Sequence, residues 1–336
     1  MRPVSRSIRA LAGALLLAAA TVFLSTCGGI GGSEFSGGGT GGTGISTAAI
    51  SGFGSVVMNN VHFRTDNNVA PGFKTKKVVN GKDKSGRPDS DVFAVGMIVT
   101  VRHGVADNNA LEIEYRDNLQ GPVAAKASGV DNVIVILGHN IVVENAAFFD
   151  SLKINDVVEV SGFVDNSVRI RADFVSPASR PANEFEVKGF VSALSGNSFH
   201  LGPLPGDSGA TVAVSYSSGA ISGLPGGPEK GMYVQVSTGD RAPVGGVITA
   251  TEIVKLTART EFPDGAPVDL EGLVTTPWSG SGNDLSFEVE GKPVVWTANT
   301  VFAGGEQINT QESNRKVQVH GMENGGVLSA ARIVFR

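Results

Sequence analysis

Lys188-Gly189-Phe190-Val191 is one of four openings written on a single pattern, with Ser51-Gly52-Phe53-Gly54-Ser55-Val56, Gln120-Gly121-Pro122-Val123 and Glu271-Gly272-Leu273-Val274. Each pairs a glycine with apolar residues, and each starts a unit with the same order of events. A hairpin-like segment comes next, clearest at 56–63, 135–142 and 287–295. Its centres, Asn59-Asn60, Gly138-His139-Asn140 and Glu290-Gly291-Lys292, tolerate the positive φ of tight turns. A loop then leads to a strand with polar residues between valines, at 96–101, 156–160, 231–236 and 316–319. The units close on Ala110-Leu111-Glu112-Ile113, Ala172-Asp173-Phe174, Ala250-Thr251-Glu252-Ile253 and Ala331-Arg332-Ile333. Period-two alternation with no sustained 3.6-residue stripe predicts an all-β chain. About four units of roughly five strands predict tandem small β-barrels, because closure removes the edges on which chains aggregate. A module of about 60 residues is marginal alone, so neighbours are expected to lean on one another.

The expected barrels span 45–119, 120–178, 184–258 and 268–336, and the second is the shortest. Pro- and Ser-rich stretches separate them, Ser176-Pro177-Ala178-Ser179-Arg180-Pro181 and Pro263-Asp264-Gly265-Ala266-Pro267.

Residues 1–26 read as a secretory leader. Arg2, Arg6 and Arg9 precede an apolar run of fourteen residues, 11–24, too short for the ~20 that a membrane-spanning helix needs. The run ends in Leu24-Ser25-Thr26-Cys27, which resembles a bacterial lipobox and marks Cys27, the one cysteine of the chain, for lipidation. Several acyl chains on one residue give stable anchoring, where one chain is marginal. Ten of the seventeen residues from Gly28 to Gly44 are glycine, so 27–44 is expected to be a disordered tether. The fingerprint-like Gly39-Thr40-Gly41-Gly42-Thr43-Gly44 lies inside it, without the strand before and helix after that a dinucleotide site needs.

Taken in order, Gly41-Gly42-Thr43-Gly44-Ile45-Ser46, Ile50-Ser51-Gly52-Phe53-Gly54-Ser55-Val56, Val95-Gly96-Met97 and Gln120-Gly121-Pro122-Val123 resemble a bacterial lipoprotein family. Its repeat is domain of unknown function 5666. The resemblance covers essentially all of the mature chain. It implies small OB-like (oligonucleotide/oligosaccharide-binding-like) barrels at the Gram-negative surface or in the periplasm, and it implies no activity. The second unit lacks a Gly-Met before its long strand, which marks its barrel as the incomplete one.

Composition narrows the function. Charged residues make up 18% of the chain, against roughly 25% in an ordinary domain, while 41% hydrophobic content excludes disorder along the whole length. A net charge of −5 and dispersed aromatic residues argue against nucleic acid as a partner. No His, Asp, Glu, Ser or Lys recurs in all four units at catalytic spacing. The slot holding His320 holds Ser161, His103 or Thr238 elsewhere, and so reads as a polar strand end. The five histidines show no convergence on a metal, and Asp83, Asp89 and Asp91 lack the twelve-residue calcium loop. Gly206-Asp207-Ser208-Gly209-Ala210 has a serine with no positioned base. No enzyme and no cofactor are expected.

The candidate ligand-binding residues are Lys74, Lys76 and Lys77, in a basic loop suited to anionic headgroups or an acidic glycan, and Trp278 and Trp296, suited to a sugar face. The expected protein is a non-enzymatic outer-membrane lipoprotein, facing the periplasm or the surface. Its expected partners are the membrane, through its anchor, and an envelope protein or a glycan.

Overall fold

A computed structural model describes residues 43–66, 69–178, 184–206, 211–281, 284–303 and 313–336. The expected leader, Cys27, the tether as far as residue 42, and 207–210 lie outside the described residues.

The described residues are all-β apart from two short helices and a 3-10 turn. The first stretch holds β1 (Thr43–Ala49), β2 (Val56–Met58), β3 (Val61–Phe63), β4 (Lys76–Val79), β5 (Lys82–Asp83), α1 (Asp89–Val92), β6 (Ile98–Gly104) and β7 (Ala110–Tyr115). The second holds β8 (Leu119–Ala127), β9 (Val133–Ile136), β10 (His139–Val143), α2 (Ala146–Ser151), β11 (Val157–Val164) and β12 (Ile170–Pro177). The third holds β13 (Phe185–Ser195), β14 (Ser198–Gly202), β15 (Val212–Tyr216), β16 (Tyr233–Gly239), β17 (Val247–Ala250) and β18 (Glu252–Lys255). The last holds β19 (Pro267–Ser281), β20 (Asp284–Val289), β21 (Lys292–Ala303), β22 (Lys316–Asn324) and β23 (Val327–Phe335).

Within the second stretch β8 pairs with β9, β9 with β10, β10 in parallel with β12, β12 with β11, and β11 with β8. The last stretch repeats that order through β19, β20, β21, β23 and β22, again with one parallel pair, β21–β23. The second stretch, expected to be incomplete, therefore carries five paired strands.

The expectation of separately closed barrels needs correction. The strands run together into a ten-stranded and an eleven-stranded sheet that cross the stretch boundaries. β1 lies parallel to β19, with Ser46 opposite Asp269, and β8 lies antiparallel to β13, with Gln120 opposite Glu186. The reason is a division of labour along each opening strand. In β8, β13 and β19 the hairpin partner takes mainly the second half, and the first half is left an edge. That edge is covered by another opening strand rather than left exposed. The core follows the sheets. One cluster, including Leu119, Ile136, Val160, Phe199 and Val236, fills the second and third stretches together. A small cluster of Ile98, Phe163 and Leu273 sits where the first, second and last stretches meet.

The opening glycines now have a physical cause. The hairpin that follows each opening strand crosses it closely. A Cβ on Gly121 would stand 2.9 Å from Leu137, one on Gly189 2.6 Å from the Gly202 carbonyl oxygen, and one on Gly272 2.5 Å from Glu290. Gly52 is looser, at 4.0 Å from Val57. Gly121→Ala is expected to cost about 2 kcal/mol in a urea titration, the usual scale of an overpacked core; an unchanged midpoint would refute the crossing argument.

The hairpin turns form at Asn59-Asn60 and Glu290-Gly291, all at positive φ. The second turns at Leu137-Gly138, one residue before the expected centre, because the Leu137 side chain is buried over Gly121.

Candidate functional site

A cleft of about 370 Å³ opens between the second and last stretches. β11 and β12 supply Phe163, Arg171 and Asp173, β19 supplies Leu273, and β22 supplies Lys316. Phe163 and Leu273 are buried apolar residues, and the charged side chains stand around them.

Lys316 organises one wall. Its ammonium lies 2.9 Å from Asp173 and 3.4 Å from Glu271, and 4.9 Å from the Phe163 ring centre. Burial works against that ammonium, but the two carboxylates outweigh it and raise the Lys316 pKa. Lys316 is thus a fixed charge at neutral pH, not a nucleophile. Burial also raises the carboxyls of Asp173 and Glu271 against the opposing pull of Lys316, with Glu144 adding to the rise at Asp173 and Asp173 to that at Glu271. On the other wall Arg171 reaches Glu144 and Asp131 at 3.5 Å and Asp165 at 3.4 Å.

Behind the cleft stands Glu290, at the tip of the β20–β21 hairpin. Its carboxylate accepts the Val164 N–H, at 3.0 and 3.1 Å to its two oxygens, and the Leu273 N–H at 3.0 Å. One side chain therefore ties β11 to β19. Burial pushes its pKa up to about 7 despite those bonds. Clustered groups of this kind, in a cleft with mixed lining, are the usual marks of a functional site.

The residues singled out from sequence lie elsewhere. Cys27 is outside the described residues. Lys74 is exposed, and Lys76 is exposed but paired with Glu112 at 2.9 Å. Lys77 is a correction. Its side chain is fully buried on β4, 3.0 Å from Asp66 and 2.8 Å from Asp89, and donates to the Arg87 carbonyl, so it holds the loop together and presents nothing to a ligand. Trp296 packs edge-on against Phe302, with ring centres 4.6 Å apart, and joins the last stretch's core. Trp278 belongs to β19, and its side chain lies outside the described residues.

The histidines stay dispersed. His103 meets Ser46 at 3.0 Å, His62 meets Ser55 at 3.0 Å, His200 meets Thr211 at 2.9 Å, and His320 lies 3.6 Å from Asp269. Among the described residues no group of three or more His, Cys, Asp or Glu is placed to hold a metal ion. Sequence reasoning missed Arg171, Asp173, Glu290 and Lys316. They are scattered along the chain with no motif, and only strand pairing brings them together.

Residues 120–176 and 271–334 match the family described as Domain of unknown function (DUF5666). These are the two stretches whose strands pair in the same order. No curated protein matches the chain.

Proposed function

We propose that this chain, in which 120–176 and 271–334 are copies of domain of unknown function 5666, is a non-enzymatic lipid-anchored protein of the Gram-negative envelope. It acts by position. Acylated Cys27 holds it to the outer membrane, the glycine-rich tether gives reach, and the β body presents a surface to an envelope partner. Each stretch is read as an OB-like module, a partly open Greek-key barrel used four times. The pairing order first–second–third–fifth–fourth, with third and fifth parallel, supports that reading in the second and last stretches. The observation that carries the anchor is Cys27, the one cysteine, three positions after the end of the fourteen-residue apolar run.

Metabolic labelling with an alkyne fatty acid tests it. The full chain is expected to take up label and sediment with membranes. Cys27→Ala is expected to lose the label and most of the sedimenting fraction. Equal labelling of both forms would sink the proposal.

A second reading, a glycan-binding protein, is favoured by the cleft of Phe163, Asp173 and Lys316, whose apolar floor and polar rim suit a sugar. This reading rests on the cleft and not on the tryptophan pair expected from sequence, of which Trp296 is partly buried and packs against the core of the last stretch.

A further inference from the structure

A second cleft, of about 110 Å³, lies where 257–262, the link between the third and last stretches, crosses β1, β6 and the end of β7. Three guanidinium groups line it, those of Arg102, Arg116 and Arg259, with the carboxylates of Glu114 and Glu261. The charges are unevenly used. Arg116 is spent: it contacts Glu114 at 2.6 and 2.8 Å and donates to the Thr257 carbonyl at 2.7 Å, which pins the link to the first stretch. Arg259 gives Nη2 to the Gly162 carbonyl at 3.1 Å, while its Nη1 is buried with no hydrogen-bond partner among the described residues. Arg102 is exposed and forms no ion pair among the described residues.

We propose that this cleft is a binding site for a small oxyanion, a phosphate or carboxylate group, held by Arg259 and Arg102. A buried donor on a charged group without an acceptor is costly, and an oxyanion that reaches it removes that cost. Guanidinium groups are suited to it, because their planar fork matches both oxyanions. The cleft has room for a phosphate or carboxylate group. Glu114 does not compete, being held by Arg116. Glu261 is exposed on the rim with no ion pair among the described residues, and its charge opposes an incoming anion. Glu290 and Asp173 draw on Arg259 through space without a hydrogen bond to it.

Calorimetric titration of the full chain, at constant ionic strength set with chloride, tests this with inorganic phosphate and with acetate. One saturable site is expected, and the tighter of the two probes tells which oxyanion the cleft suits. Arg259→Lys and Arg102→Gln are each expected to weaken binding at least tenfold, the former because an ammonium lacks the fork. Glu261→Gln, an exposed change that leaves the fold alone, is expected to tighten it about threefold. A lack of saturable binding to either probe, or the same affinity in all three variants, would overturn the proposal.

Discussion

Lys188→Met is expected to lower the unfolding free energy by about 4 kcal/mol, read as a fall in the urea midpoint at unchanged slope. Lys188 lies on β13 at the seam with β8 and is 4% exposed. Its ammonium bonds to Asp117 and lies 2.5 Å from Glu186, and both acids are buried. Methionine fills much the same volume, so packing is nearly kept while two carboxylates lose their cation. An uncompensated buried charge is what makes such a loss large, and the pair itself contributes little against an apolar replacement. Lys188→Met combined with Asp117→Asn and Glu186→Gln is therefore expected to recover most of the loss. Lys76→Met serves as the contrast. Its pair with Glu112 is exposed, and the expected change is below about 0.5 kcal/mol. A loss under about 1 kcal/mol for Lys188→Met would show that the seam does not depend on this cluster.

The same contrast shows how far the sequence could be read. Alternation along the strands made the all-β class legible, and the Asn59-Asn60 and Glu290-Gly291 turns stood where their residue types placed them. The match of 120–176 and 271–334 to that family was legible in their glycine openings, since a close crossing excludes a side chain at Gly121 and Gly272 alike. The joining of strands into shared sheets was not legible. Whether the first half of β8 pairs with β13 depends on which edge remains uncovered after local pairing, and a local pattern carries no record of that. Lys77 misled for a related reason. In a run of basic residues it looks like its exposed neighbour Lys76, and its burial is set by Asp66 and Asp89, one on each side in sequence and both remote from β4. The cleft groups Asp173, Glu271 and Lys316 gave no signal, because each is an ordinary polar residue until β12, β19 and β22 meet.

Two hairpins carry the groups that should govern stability against pH, with opposite signs. Glu290 is at the β20–β21 turn, and His139 begins β10 just after the Leu137-Gly138 turn. Burial raises Glu290 from 4.5 to about 7, so between those values the folded protein holds a proton that the unfolded chain has released. Its contribution is full below pH 4.5 and is lost as pH rises through 7. At about 1.4 kcal/mol per unit, the loss is about 3 kcal/mol. His139 is buried, its Nε2 has no hydrogen-bond partner among the described residues, and burial lowers its pKa from 6.5 to about 4. There the unfolded chain holds the extra proton, so stability rises from pH 4 to 6.5 by a similar amount. From pH 4.5 to 6.5 the two slopes oppose each other and largely cancel in the intact protein. Single variants uncover them. Measured against the parent by urea titration at each pH, Glu290→Gln is expected to gain about 3 kcal/mol from pH 4.5 to 7.5. His139→Leu is expected to fall behind by about 3 kcal/mol from pH 4 to 6.5. Asp173 and Glu271, whose pKa values burial also raises, remain in both proteins of each comparison; the charge of Asp173 adds to the rise at Glu290, so the Glu290→Gln difference reads the two acids together. Curves for both variants running parallel to the parent across the range would mean that neither hairpin group changes its proton affinity on folding.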